Sequence, residues 1–262
     1  MKRIGFILIS FSFAVLLVSC DFFAEPVYRV SRDISSQIES MSTNDLVGNV
    51  DKFASDPEKT ADVLNELSGR NQEEIASLSR GDKEKVLEAG IGAILPTSQL
   101  GGVVDTVMED KENADYNKVV ETLCNGSPDV NTKVLETILK DDEVLANADA
   151  STLTLSTASL IVATIKDESK GDSVDTKMND FKAASAAANS GEKFDEATFK
   201  SELESKGFSP ESIESLTVAM NTTHVLAGTA GDGKPNRKDD ASDVSFGGYN
   251  MGELLDKMTG GN

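Results

Sequence analysis

The chain has 262 residues, of which 45 are acidic and 25 are basic, so its formal net charge at pH 7 is −20. A negative charge of this size repels nucleic acids and anionic lipid surfaces and favours solubility. We therefore expect no nucleic-acid partner. Tryptophan is absent and aromatic residues make up only 5% of the chain, so the core must consist mainly of Leu, Ile, Val and Ala.

The first residues have the organisation of an export signal. Lys2 and Arg3 precede an apolar run of 15 residues, 4 to 18, which ends just before Ser19 and Cys20. A positive start, an apolar run and a small-residue cleavage site are the three parts of such a signal. The run is shorter than the roughly 20 residues of a membrane-spanning helix. We therefore expect residues 1–19 to be removed.

The end of this segment, Leu17-Val18-Ser19-Cys20, closely resembles the lipobox of bacterial lipoproteins. The resemblance implies cleavage between Ser19 and Cys20, a diacylglyceryl group on the Cys20 thiol, and an acyl chain such as palmitate on the new amino terminus. Two or more chains give stable membrane anchoring, because each buried methylene contributes about 0.8 kcal/mol. The alternative is an ordinary secretory signal followed by a coincidental cysteine.

The resemblance extends to the helical lipoproteins of spirochaetes, because a helix-patterned body follows the signal. Asp21 resembles a signal that keeps some lipoproteins in the inner membrane, yet an outer-membrane or surface position fits the anchor equally well. The tether 20–26 is short, since the six residues after Cys20 span at most about 20 Å. Removal of the signal leaves 23 basic and 45 acidic residues, and an envelope or extracellular protein is the expected partner.

Cys124 is the only thiol that remains once Cys20 is lipidated, so no intramolecular disulfide can form. It shares one apolar helical face with Val119, Val120 and Leu123. This setting predicts a buried, small hydrophobic residue. The alternative is a reactive or intermolecularly paired thiol.

Residues 27–165 are predicted to form a helical domain. Apolar residues recur three and four positions apart, as on the buried side of an α-helix. The stripes are, in chain order: Val27, Val30, Ile34, Ile38, Met41; Leu46, Val50, Phe53; Ala61, Val63, Leu64, Leu67; Ile75, Leu78; Val86, Leu87, Ile91; Leu100, Val103, Val104, Val107; Val119, Val120, Leu123, Cys124; Val130, Val134, Leu135, Ile138, Leu139; and Val144, Leu145.

Polar capping residues and Gly or Pro stops predict where these helices begin and end. The predicted starts are Thr43, Asp56-Pro57-Glu58, Asn71 with Glu74, Asp82, Asp115 and Ser127-Pro128-Asp129, and the predicted stops are Gly69, Gly81, Pro96 and Gly126.

The segment from Leu153 to Ile165 is apolar on most sides, which is typical of a central helix. Its β-branched residues leave a strand as the alternative. We predict that it is the core helix of the body. The polar residues 166–173 are predicted to be a linker to a second part.

Residues 174–227 are predicted to form a helical subdomain packed on the first domain. Its helices carry Val174, Met178, Phe181, Ala184 and Ala188; Phe199 and Leu203, between a cap at Asp195 and a stop at Gly207; and Ile213, Leu216 and Met220, after Ser209-Pro210-Glu211. A Gly and Asp-rich loop, 228–248, and a short helix and tail, 249–262, complete the chain. The predicted fold is all-α, a compact array of about ten short helices without a substantial sheet.

Residues 228–234, GTAGDGK, match the phosphate-loop pattern up to its last position. Pro235 stands where that pattern needs Ser or Thr, so a hydroxyl for Mg²⁺ and one backbone N–H are missing. A helix precedes the motif where a strand is needed. We expect no nucleotide partner.

The same loop contains oxygen ligands of the kind that Ca²⁺ accepts. Their spacing does not fit the twelve-residue EF-hand loop, so a solvated acidic loop is the preferred interpretation. These weak metal candidates are Asp232, Asn236, Asp239, Asp240 and Asp243.

His224, the only histidine, falls at the edge of the last apolar stripe, which favours a packed, hydrogen-bonded ring. We identify no catalytic residue, no cofactor site and no His and Cys cluster for a metal. The preferred function is a non-enzymatic, membrane-anchored binding module. The first alternative is a carrier of a small or apolar ligand, lined by 153–165 and 183–188. The second is a carboxylate-dependent hydrolase that uses His224.

Overall fold

The computed structural model describes residues 34–96, 116–189, 193–230, 233–237, 245–246 and 249–250. These residues form an all-α array, as predicted. Its α-helices are α1 (Ile34–Ser40), α2 (Thr43–Asn49), α3 (Pro57–Gly69), α4 (Gln72–Ala76), α5 (Arg80–Ile94), α6 (Tyr116–Gly126), α7 (Lys133–Leu139), α8 (Asp142–Asn147), α9 (Ala150–Glu168), α10 (Val174–Ala188), α11 (Glu196–Ser205) and α12 (Pro210–Ala227).

Two 3₁₀ turns and one strand pair complete the described elements. The turns are Val50–Lys52 and Ser169–Gly171, and the antiparallel strands are β1 (Ser245–Phe246) and β2 (Tyr249–Asn250). The predicted helical segments at 27–33, at 100–107 and at 251–258 lie outside the described residues, as does the cap Asp115.

Capping side chains set the helix starts that the sequence predicts best. The Asp56 carboxylate accepts the Lys59 N–H at 3.3 Å and begins α3. Asp195 at the start of α11 and Ser209 at the start of α12 make equivalent bonds at 3.1 and 3.2 Å. Each such cap typically contributes about 1 kcal/mol. These three predicted starts are confirmed.

Two predicted boundaries are wrong, by one and by three residues, because a nearby serine is the cap. Ser42, not Thr43, caps α2 through the Asp45 N–H. Ser79, not Asp82, caps α5, since its hydroxyl accepts the Asp82 N–H at 3.2 Å. Gly81 therefore lies in the first turn of α5 and does not end the preceding helix.

Two further segments differ from the prediction. Residues 127–132 are a loop, and α7 begins only at Lys133, because side chains from α3 bind the loop backbone in place of a helical turn. Residues 166–173, predicted to be a linker, contain the last residues of α9 and a 3₁₀ turn. The described residues from Ile38 onward belong to one compact unit.

Helix α9 is the central element, and the strand alternative is wrong. Most of its residues from Leu153 to Ile165 are buried, and it packs against α5, α6 and α12. Most of its buried hydroxyls donate to carbonyls one turn earlier, as Thr157 does to Leu153 and Thr164 does to Leu160. Such bonds allow a segment this rich in Ser and Thr to be buried, although the buried Ser156 hydroxyl has no partner among the described residues.

A close approach between α5 and α7 gives the first prediction. A Cβ placed on Gly90 would lie 2.7 Å from a methyl carbon of Leu135, whose side chain is fully buried. We expect Gly90→Ala to lower the free energy of unfolding by about 1–3 kcal/mol, the usual range for overpacking. Leu135→Ala alone should cost about 2–5 kcal/mol.

The double variant tests this geometry. Removal of the Leu135 methyl groups makes room for the methyl group added at position 90, so the double variant should cost clearly less than the sum of the two single changes. Gly92→Ala on the same helix, where nothing lies within 4 Å of the added Cβ, is the control. Urea denaturation compares these four variants with the unsubstituted protein, and strict additivity would contradict the proposed contact.

Candidate binding cleft

A cleft of about 680 Å³ lies where five parts of the chain meet. Its walls are α3, the loop 127–132, the start of α7, the end of α9 and the start of α12. This volume falls within the roughly 300–1,000 Å³ typical of small-ligand sites. The cleft is therefore the candidate functional site of the described part of the chain.

Two side chains from α3 hold the loop 127–132 in place. The Asn65 amide donates to the Asp129 carbonyl at 3.2 Å and accepts the Asn131 N–H at 2.6 Å. The Ser68 hydroxyl donates to the Asn131 carbonyl at 2.8 Å and accepts the Val134 N–H at 3.1 Å. This wall of the cleft is thus formed before any ligand arrives.

The floor of the cleft contains a buried carboxylate, Glu136 on α7, whose side chain is 5% exposed. Its Oε1 accepts hydrogen bonds from the Thr132 hydroxyl at 3.0 Å and from the Ser215 hydroxyl at 2.5 Å. Its Oε2 accepts a bond from Lys133 Nζ at 3.3 Å, and the Lys133 side chain is 46% exposed. A buried carboxylate needs such partners, because an unpaired one is strongly destabilising.

Ion pairs form the rim of the cleft near the end of α9. Lys170 Nζ lies 2.6 Å from the Asp167 carboxylate. Lys166 Nζ donates to the Ser127 carbonyl at 2.5 Å and lies 2.8 Å from the Asp129 carboxylate. Its hydrogen bond and its charge lower the pKa of Asp129. Asp129 is therefore ionised at neutral pH.

The start of α12 adds a carboxylate that is not used in an ion pair. Glu211 is exposed and lines the cleft, and no ion pair among the described residues includes it. The neighbouring helix start is already occupied, because Glu168 accepts the Ser209 N–H at 2.9 Å. Burial raises the pKa of Glu168, but hydrogen bonds from Ser212 and Ser209 outweigh it and lower that pKa.

The described residues of the Gly and Asp-rich loop do not line the cleft. In its described residues, Lys234 pairs with Asp142 at 2.7 Å, and the Arg237 guanidinium donates to the Leu145 and Ala148 carbonyls at 3.0 Å. These bonds fasten residues 233–237 to α8.

Of the five weak metal candidates, only Asn236 belongs to the described residues. Asp232, Asp239, Asp240 and Asp243 lie outside them, as do Ser19 and Cys20. Within the described ranges, no three His, Cys, Asp or Glu side chains are grouped so that they could hold a metal ion.

His224 is buried at the end of α12. Its ring stacks on Phe194 at a centroid distance of 4.6 Å, and its Nδ1 lies 2.7 Å from the Thr229 hydroxyl. Burial lowers the pKa of His224 to about 4, so the ring is neutral at pH 7. The packed, hydrogen-bonded histidine that the sequence predicts is thus what the structure shows.

Cys124 on α6 is also buried, and its thiol donates to the Val162 carbonyl at 3.5 Å. Burial raises the pKa of the thiol to about 11. A thiol that stays protonated at neutral pH is a poor nucleophile. The prediction of a small, buried hydrophobic residue is confirmed.

Comparisons with known proteins give no information on the family or the function of the chain. The chain matches no protein-family model, no curated protein and no solved structure. No helix in the described ranges has both the length and the apolar character needed to cross a bilayer. The cleft itself was not predicted from the sequence, because its wall is a loop in a segment that carries the signals of a helix start.

Proposed function

We propose that the chain is a lipid-anchored protein of the cell envelope whose acidic helical body binds another molecule through the cleft. The N-terminal pattern that ends at Cys20 supports the anchor. The observation that carries the binding role is the cleft, with its walls fixed by hydrogen bonds and a buried carboxylate on its floor. This body acts by binding, not by catalysis.

The two alternative functions receive less support. The carrier of an apolar ligand needs a cavity lined by 153–165 and 183–188, but of these two segments only Ala163 and Thr164 line the cleft. The cleft offers charged and hydroxyl groups, which suit a polar ligand. The hydrolase needs an accessible base, whereas His224 is stacked and covered.

The anchor is tested by Cys20→Ala. We expect this change to abolish metabolic labelling with a radioactive fatty acid and to release the protein from the membrane fraction. Ser19→Ala, which keeps a small residue before the cysteine, is the control and should be labelled normally. Labelling that persists in Cys20→Ala would mean that the chain is not lipidated at this position. Protease digestion of intact cells then separates a surface position from an internal one.

The binding role is tested by site-specific crosslinking in cells. A photoreactive amino acid replaces Val130, which lines the cleft, or Ala183, which is exposed on α10 and does not line it. We expect a discrete adduct at position 130 and none at 183. The same adducts at both positions, or none at either, would rule out the cleft as the binding site.

A further inference from the structure

The lysine that neutralises Glu136 is weakly held. Its Nζ lies 3.3 Å from the carboxylate oxygen, whereas good ammonium-to-carboxylate hydrogen bonds are about 2.7–2.9 Å long. On the rim of the same cleft, Lys166 and Lys170 make such contacts at 2.8 and 2.6 Å. Because Lys133 is also half exposed, its ammonium group can return to water when another cation takes its place beside the carboxylate.

The rest of the Glu136 carboxylate is fixed. Thr132 and Ser215 both donate to Oε1, so Oε2 is the atom that faces Lys133. A cationic group that entered the cleft could bind Oε2 in a largely desolvated setting, where a charge-assisted hydrogen bond is strong. Glu136 is thus oriented for a cation before a ligand binds.

Charge in and around the cleft also favours a cation. Four acidic residues and three lysines line it, and Glu211 on its wall is not engaged in an ion pair with the described residues. The whole chain carries a net charge of −20. A field of this sign raises the local concentration of cations and speeds their association.

We propose that the cleft binds an ammonium or guanidinium group, which displaces Lys133 from Glu136 and forms a second contact with Glu211. This inference rests on the proposed function and names the chemistry of its ligand. The group can belong to a free polyamine or to a Lys or Arg side chain of a partner protein. In either case the bond to Glu136 is formed by exchange, one cation for another.

If the ligand replaces Lys133 at Glu136, the variant Lys133→Met should bind the ligand more tightly than the unsubstituted protein does. Because this change removes the competing cation and leaves Glu136 in place, it should tighten binding about tenfold. The probes are spermidine and a lysine-rich hexapeptide, with a glutamate-rich hexapeptide as the negative control. Isothermal titration calorimetry on the full-length protein in a non-ionic detergent, at low salt, gives the affinities.

Lys206→Met is the matched control. Lys206 also forms a long contact with an acid, 3.6 Å from Asp180, but it does not line the cleft. Lys206→Met should change the affinity less than twofold, since only the overall charge differs. An equal effect of the two lysine variants would overturn the proposal, because the affinity would then depend only on the net charge of the protein.

Glu136→Gln should act in the opposite direction and weaken binding at least tenfold. The amide can still accept from Thr132 and Ser215, and thermal melting shows whether the variant is folded. If it is not, Lys133→Met decides alone. Unchanged binding by a folded Glu136→Gln, or no binding of either cationic probe by the unsubstituted protein, would also overturn the proposal.

The probes distinguish the source of the cation. Tighter binding of spermidine indicates a free polyamine, and tighter binding of the peptide indicates a side chain of a partner protein. The result also separates this inference from the proposed function. Crosslinks at position 130 without cation binding would leave the binding role intact and remove only the cation, whereas loss of both would remove both.

Discussion

Replacement of Phe181 by Ala is expected to lower the free energy of unfolding by about 3–5 kcal/mol. Phe181 on α10 is fully buried, and its ring meets that of Phe199 on α11 edge to face, with centroids 6.0 Å apart. The change leaves a cavity and removes an aromatic pair, which itself contributes about 0.5–1.5 kcal/mol. Urea denaturation followed by far-ultraviolet circular dichroism measures the loss.

Two variants serve as controls, one at the same position and one elsewhere on the same helix. Phe181→Leu keeps most of the side-chain volume and should cost about 1 kcal/mol. Val174→Ala changes a half-buried residue on the same helix and should cost less still. For a domain of this size the melting temperature falls by about 2–4 °C per kcal/mol, so Phe181→Ala should melt about 10 °C lower. Equal losses in Phe181→Ala and Val174→Ala would contradict the central position of this ring.

The helices were predictable from the sequence where local chemistry determines them. Asp56, Asp195 and Ser209 each bond an N–H three residues ahead, so the cap and its helix lie in one short stretch of sequence. The apolar stripe with Phe181 was predictable for the same reason, because its members repeat at the helical period. The burial of α9 followed from its composition.

The cleft was not predictable, because its geometry depends on contacts between distant parts of the chain. Ser127-Pro128-Asp129 has the local signals of a helix start, and α7 nevertheless begins at Lys133. The reason is Asn65, which bonds Asp129 and Asn131 from 64 and 66 positions away. Local propensity is a weak preference, and such tertiary contacts override it.

The burial of Lys83 could not be predicted from the sequence either. It lies on α5 among polar residues, as an exposed lysine would, yet its side chain is 6% exposed. Its partner is Asp141, 58 positions later, whose carboxylate hydrogen-bonds the ammonium group. Since a charged lysine is rarely buried without a partner, the burial of Lys83 requires Asp141.

Asp141→Asn is expected to lower the free energy of unfolding at pH 7 by about 3 kcal/mol, the lower end of the range for breaking a buried pair, because Asp141 is itself 25% exposed. Asp141 also caps α8 by accepting the Glu143 N–H at 2.8 Å. Asn caps a helix as well as Asp does. The change therefore removes the charge beside Lys83 and keeps the cap, and urea denaturation measures the cost.

The stability that the Lys83–Asp141 pair contributes depends on pH, and it decreases at low pH. The hydrogen bond from Lys83 lowers the pKa of Asp141 in the folded protein. The unfolded chain therefore binds more protons, and this stabilisation is fully present above the unfolded pKa of about 3.9 and is lost as the pH falls through the lower, folded value. The difference in the free energy of unfolding between the unsubstituted protein and Asp141→Asn should thus be largest at pH 6–7 and shrink below about pH 4.

Two further variants isolate the buried charge as the cause. Asp142→Asn removes the neighbouring carboxylate, which pairs with Lys234 at the surface, and should cost less than about 1 kcal/mol. Lys83→Met combined with Asp141→Asn removes both charges and should restore much of the stability, because an apolar side chain at this site has no charge to neutralise. If Asp141→Asn cost no more than Asp142→Asn, the Lys83 ammonium would have to find its neutralising partner elsewhere.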